Sequence, residues 1–319
     1  MHALRTVAGP LSPARIRGPV LAHEHLALDL GRAGDPEARL DPARHAEPVT
    51  AELAALREQY GLALVVELTC RGMGRDAGAL RRIAEASGVA VVAATGWYYA
   101  AFHPPEVTGA GPGGGTRAED LTELLVREIT GGLDGTGVRP GVLGEIGSHG
   151  ELPSPAEHRV FAASSAAALA TGLPVSTHAQ LGRGGLAQLK LLTDGGLPAH
   201  RVCIGHQDLL DDPGTHRELA AAGAYVAFDT IGKESYQSDA TRLRLLLALV
   251  EAGHGDRALL SCDISRHSYL RGEGGQGYGH LFRSFLPRLR AAGADDDLID
   301  LLTRRNPLRF LTGSTAEVN

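Results

Sequence analysis

Gly18-Pro-Val-Leu-Ala-His-Glu-His25 is an apolar run that ends in a His-x-His pair, His23 and His25. On a strand, residues two apart share a face, so His23 and His25 aim together while Glu24 aims away. Four later apolar runs end the same way, each in a metal-ligand type of residue. They are Glu145 in Val-Leu-Gly-Glu-Ile-Gly, His178 in Leu-Pro-Val-Ser-Thr-His, His206 in Val-Cys-Ile-Gly-His and Asp263 in Ala-Leu-Leu-Ser-Cys-Asp. Six such side chains converge on one spot if the strands are parallel and close into a barrel.

The rest of the chain supports closure. Short Val/Leu/Ile/Ala runs at 18–25, 62–69, 89–96, 141–147, 173–178, 201–206, 224–230 and 258–263 predict strands. Helical periodicity near 47–60, 75–87, 117–131, 155–171, 185–194, 213–222, 239–253 and 280–293 separates them. Parallel strands need crossovers of this length, so the expected fold is α/β, a (β/α)8 TIM barrel. An open doubly wound sheet explains the alternation equally well. It would not bring the ends of the first, fourth, fifth, sixth and eighth strands together. Residues 1–17 carry the turn signals Gly9-Pro10 and Ser12-Pro13, which predict a short N-terminal hairpin. No interdomain linker is visible, and 1–319 is expected to be one domain.

Pro and Gly dominate His103–Thr116, so an irregular, mobile loop is expected there on the active-site side. Its glycines lack the strand–GxGxxG–helix setting of a phosphate cradle. The connections Gly232–Asp239 and Ile264–Gly279 should border the same mouth.

An apolar fraction of 43% and a charged fraction of 21% describe a globular protein able to bury a full core. A net charge of -6 offers no electrostatic case for nucleic acid or an anionic membrane surface. No apolar stretch is long enough to span a bilayer, and the opening residues lack the apolar core of a secretory signal. Cys70, Cys203 and Cys262 are odd in number and lack Cys-x-x-Cys spacing, so reduced thiols and the cytosol are the default expectation.

Imidazoles and carboxylates suit Zn2+ first, with Mn2+, Co2+ or Fe2+ also fitting, and the absence of thiolates argues against a purely structural zinc site. Two divalent metal ions ~3.5–4 Å apart can share a hydroxide and polarise a scissile group. A carboxylate must bridge them, and Glu145 is the central candidate. The two lysines, Lys190 and Lys233, lie in a helix candidate and past strand seven, which disfavours a carboxylated-lysine bridge. Asp263 is expected both to bind metal and to accept the proton of the hydroxide. Tyr98 could hydrogen-bond a substrate oxygen, with Trp97 and Tyr99 beside it as a pocket wall. Lys233, Arg266, His267 and Tyr269, with Arg71, could meet an anionic substrate tail. Asp208 either orients a ligand imidazole or caps the next helix. His149 is a weaker candidate near the bridge.

Together the segments Thr6–Pro10, Gly18–Leu26, Thr95–Tyr98, Gly144–Gly147, Ser176–His178, Gly205–Asp208, Asp263–His267, Gly274–His280 and Asn306–Phe310 resemble the phosphotriesterase family of the amidohydrolase superfamily. The resemblance runs in order through nearly the whole chain. It implies a barrel with a binuclear centre. His23, His25 and Asp263 would hold the more buried metal, and His178 and His206 the more exposed one. Many members carry a carboxylated lysine after strand four; Glu145 places this chain with the branch that uses glutamate. The expected reaction is attack of a metal-bridging hydroxide on the C=O of a lactone, ester or N-acyl amide. A phosphotriester or other phosphoester hydrolase is the alternative, and a catalytically silent metal-containing binding protein the alternative outside enzymes. A small-molecule substrate is the expected partner, and a homodimer is the assembly that the resemblance allows.

Overall fold

In the computed structural model, which describes residues 3–31, 35–109 and 115–313, eight parallel strands form one sheet. They are β1 (Val20–Glu24), β2 (Leu64–Glu67), β3 (Ala90–Thr95), β4 (Val142–Ser148), β5 (Val175–Ala179), β6 (Val202–Ile204), β7 (Tyr225–Phe228) and β8 (Ala258–Leu260). Each pairs with its neighbours in sequence order. Outside them lie α1 (Pro42–Tyr60), α2 (Ala77–Ser87), α3 (Ala118–Gly131), α4 (Pro155–Thr171), α5 (Gly185–Asp194), α6 (Pro213–Ala221), α7 (Asp239–Leu249) and α8 (Leu286–Ala291), the last preceded by a π turn at Leu281–Phe285. Every strand and helix expected from periodicity is present.

The period of two decides the layers. Val20, Ala22, Leu64, Val66, Val92, Ala94, Cys203, Tyr225, Ala227 and Leu259 share one apolar cluster inside the barrel. Their alternates Leu21, Val65, Val91, Ala93, Ile204, Val226, Phe228 and Leu260 pack with the helices in a second, outer cluster. Leu4 and Ile16 join the inner cluster from below. Leu4 belongs to the expected hairpin, in which Leu4–Thr6 pairs antiparallel with Gly9–Leu11.

The ladder runs linearly from β8 to β1, and a side chain seals the seam. Glu24, wholly buried, accepts hydrogen bonds from Ser261 Oγ at 2.7 Å, Cys262 N at 2.8 Å and Ile264 N at 2.8 Å. The residue expected to aim away from the histidines thus fastens the first strand to the last.

Two regions differ from expectation. Within His103–Thr116, Pro105–Thr108 forms a helical turn, with Pro105 at its start where a missing N–H costs nothing; residues 110–114 of that loop lie outside the described ones. Beyond α8 the chain forms Asp296–Asp300, a π turn at Leu301–Arg305 and Asn306–Thr312. Asn306 there donates to the carbonyls of Gly255 and Ala258 at 2.8 and 2.9 Å, and Leu308 and Phe310 complete the floor of the barrel. No described helix is long and apolar enough to cross a membrane.

Candidate metal centre

The six ligand-type residues meet at the C-terminal mouth of the barrel. A register shift between Leu21 and Glu24 interrupts the pairing of β1 and β2, which resumes at Glu24 opposite Glu67, and turns His23 and His25 into the lumen. Their rings lie 5.5 Å apart. His206 and Asp263 follow β6 and β8 in left-handed backbone, φ 56° and 49°, which aims both inward. Gly205 lets β6 pass close to β5: a Cβ there would stand 2.1 Å from the Thr177 carbonyl oxygen.

Each imidazole has its outer nitrogen committed. His23 Nδ1 lies 2.7 Å from Asp229 Oδ2, and His206 Nδ1 lies 2.9 Å from Asp229 Oδ1. His25 Nδ1 meets Thr69 Oγ1 at 2.8 Å, and His178 Nε2 meets Gln180 Oε1 at 2.8 Å. A nitrogen that donates to such an acceptor fixes the tautomer and leaves the other nitrogen's lone pair free. The inner nitrogens therefore turn toward one carboxylate. Glu145 Oε2 lies 3.1 Å from His178 Nδ1, 3.5 Å from His206 Nε2 and 3.6 Å from His23 Nε2; Oε1 lies 3.4 Å from His25 Nε2. Asp263 Oδ1 lies 3.3 Å from His25 Nε2.

This donor set fits divalent metal. His23 Nε2 is buried without a hydrogen-bond partner, a costly state for a polar atom unless something else binds it. Ligand atoms of His23, His25 and Asp263 lie within 4.8 Å of one another, as do those of His23, Glu145 and His206. The two groups share His23. His178 lies in neither, although its Nδ1 is 2.8 Å from His206 Nε2.

Without metal, protons occupy the same lone pairs. Burial alone would lower His25, but the carboxylates of Asp263 and Glu145 outweigh it and push it up to about 10. His206 is raised well above its ordinary value against burial, chiefly by Asp229. Asp229 and Glu145 are both buried, which opposes ionisation, yet the surrounding imidazoles hold both far below the usual carboxylate range. Metal loading must displace protons.

Above this cluster a cavity of about 220 Å³ opens, lined among others by Tyr98, Tyr99, Phe102, Leu181, Lys233 and Arg266. The Tyr98 hydroxyl lies 3.1 Å from His178 Nδ1, and burial pushes its pKa well above the ordinary phenol value. Lys233 pairs with Asp263 Oδ2 and donates to Ser265 Oγ at 3.1 Å. Arg266 pairs with Asp35. Tyr269, named with them as a cationic-rim residue, sits beneath both: Lys233 Nζ is 5.3 Å and Arg266 Cζ 5.8 Å from its ring centre.

Other expected contacts are not made. Trp97 is fully buried and does not line the cavity, because it alternates with inward-facing Tyr98. His267 is also outside the lining; it stacks on His45 and meets Glu37 Oε2 at 3.0 Å. Arg71 is drawn away by Glu106 and Glu128. His149 lies beside Tyr99, ring centres 5.3 Å apart. Asp208 touches no ligand imidazole; it accepts from Thr230 Oγ1 at 2.6 Å and Arg242 Nε at 2.7 Å.

The carboxylate that holds two of the imidazoles, those of His23 and His206, is Asp229, which is absent from the candidates read from the sequence. It follows β7 directly in Phe-Asp-Thr, the same strand-end position as the six candidates. That placement was the available signal.

The sequence matches the model of the phosphotriesterase family over residues 2–311. It is 39% identical to the phosphotriesterase homology protein of Escherichia coli, covering 92% of this chain and 97% of that protein. The crystal structure of that protein, with phosphate in its active site, superposes with a TM-score of 0.88 over 93% of this chain and 99% of its own. The N-acetyltaurine hydrolase of Rattus norvegicus is 30% identical over 97% of each chain. A lactonase from Listeria monocytogenes superposes with a TM-score of 0.89 at 25% identity, covering 98% of this chain and 100% of that one. A barrel whose strand ends gather four imidazoles and two carboxylates, in a sequence matched along almost its whole length, belongs to the phosphotriesterase family.

Proposed function

We propose that this chain is a binuclear metal-dependent hydrolase acting on the C=O of a small acyl compound, a lactone, ester or N-acyl amide, that carries an anionic tail. The observation that carries the reading is a single cavity with metal-capable side chains on its floor and two cations, Lys233 and Arg266, on one wall. His23, His25 and Asp263 would hold one metal, His178 and His206 the other, and Glu145 would join them. Zn2+ suits these ligands first. When bound there, the metals lower the pKa of water and polarise the scissile group.

The chain's own residues supply the rest. Asp263, which lines the cavity beside His25, accepts the proton of the attacking water. Tyr98 offers its hydroxyl to the substrate oxygen, and its raised pKa keeps it a donor. Lys233 and Arg266 bind the tail. Asp229 holds His23 and His206 in the tautomer that ligation needs.

A second reading is phosphoester hydrolysis. It is favoured by the phosphate in the active site of the E. coli relative and would use the same cations. One panel separates these readings: metal-loaded protein assayed on N-acyl amino acids, N-acyl aminosulfonates, lactones, phosphotriesters and phosphomonoesters. Preference for anionic acyl compounds is expected. Preference for a phosphoester would replace the first reading with the second, and silence throughout would leave a metal-containing binding protein.

A further inference from the structure

Among the described residues, four non-glycines have positive φ: Asp134, Leu181, His206 and Asp263. Three of these line the cavity. For His206 and Asp263 the conformation aims a polar side chain at the cluster. Leu181 has no such reason.

Leu181 sits just past β5 at φ 53°, ψ 34° and is 40% exposed. Left-handed backbone disfavours a residue with a Cβ, and glycine or asparagine would suit it better. Partial exposure also means that the side chain adds little to the core. The backbone shape itself is imposed from both sides. Gln180, immediately before, is tied to His178 Nε2 at 2.8 Å. Gly182, immediately after, is wedged so tightly that a Cβ would stand 2.7 Å from Leu210 Cβ and 2.9 Å from the His206 carbonyl oxygen. The loop therefore fixes a leucine side chain at the cavity, unfavourable in conformation and in hydration. Contact with an apolar ligand group offsets both.

The neighbouring lining agrees. Tyr99, Phe102 and Leu209 join Leu181 from the loops after β3, β5 and β6, whereas Lys233 and Arg266 come from those after β7 and β8. We propose that Leu181 is a specificity-determining residue that packs against the acyl group of the substrate. On this assignment the substrate is an acyl compound with an apolar acyl chain on the Leu181 wall and its anionic end at Lys233 and Arg266. The substrate class rests on the hydrolase reading above; the apolar wall does not.

Binding of straight-chain carboxylates tests the wall without requiring turnover. Acetate, propionate, butyrate, pentanoate and hexanoate are titrated into the metal-loaded protein by calorimetry. In the wild type each added methylene should tighten binding roughly two- to fourfold, as expected for apolar area leaving water. In Leu181→Gly the gain per methylene should fall toward one, with melting temperature held or raised because the backbone strain is relieved. Leu181→Met, which keeps an apolar side chain, should retain most of the gain. Equal increments in the wild type and Leu181→Gly, or no increment in the wild type, would overturn the proposal. The matching N-acyl series is assayed for hydrolysis in parallel. A Leu181-dependent increment without any cleavage would sink the hydrolase reading and leave the wall standing.

Discussion

Glu24 in β1 and Glu145 in β4 are both buried, and their surroundings give them opposite characters. Glu24 faces the seam, where a hydroxyl and two backbone N–H groups from the β8 end donate to it. Burial dominates there and pushes its pKa up to about 7. Glu145 faces the lumen among His178, His23, His206 and His25. Burial opposes its ionisation too, but the imidazoles hold it well below the usual range. Neutral donors compensate a carboxylate incompletely, whereas basic nitrogens keep it charged. One glutamate fastens the barrel's seam, and the other lies at the centre of the candidate metal ligands.

The comparison can be broken on the lumen side first. Asp263→Asn keeps the side chain's size and an oxygen toward His25 but cannot take a proton. kcat should fall by roughly 10²–10⁴, the range for a lost general base, with KM changing far less and metal content retained. Full turnover in a metal-replete variant would move the proton to another group.

A smaller loss is expected one layer out. Asp229→Asn removes the charge and replaces one of the two oxygens that accept from His23 and His206 by an N–H donor, and metal affinity should weaken roughly 10–100-fold. Competition with a chelating dye measures it. Unchanged affinity would mean that packing alone orients the two rings.

At the seam the effect should be one of stability. Glu24→Gln replaces a carboxylate acceptor by an amide, and a cost of about 1–3 kcal/mol is expected for imperfectly satisfied buried donors. The pH dependence sharpens the contrast. With a folded pKa of about 7 against an ordinary 4.5, the native state binds the proton more tightly than the unfolded state. The stability tied to that proton is full below pH 4.5 and is lost as pH rises through about 7. Denaturant melts of metal-free protein should show this decline in the wild type and a flatter profile in Glu24→Gln. Parallel profiles would assign the decline to other groups.

The sequence carried the barrel because its signals are local: apolar runs alternating with helical periodicity, and ligand types placed at strand ends. It carried the convergence of six side chains for the same reason. What it could not carry depends on which way a neighbour turns. Trp97 and Tyr98 are adjacent, and only the alternation of sides sends one into the core and the other to the cavity. Arg71 and His267 carry the same charge type as Lys233 and Arg266, but the fold turns them out of the cavity lining, toward Glu106, Glu128 and Glu37. Asp208 and Asp229 both follow strands. Asp208 is claimed by Arg242, which reaches it from α7, and that leaves the imidazoles to Asp229. Asn306–Phe310 carries part of the family resemblance, but the helices of the C-terminal segment leave no periodicity to read because they are short and broken by a π turn.

The central claim is that Glu145 joins two metals at the floor of the cavity. Elemental analysis of wild type and Glu145→Gln, purified side by side without chelator, tests it most directly. About two divalent metals per chain are expected in the wild type, unaffected by removing bicarbonate because no carbamate has to form. Glu145→Gln should lose metal and activity together. A variant that keeps two metals and wild-type turnover would show that the bridge lies elsewhere.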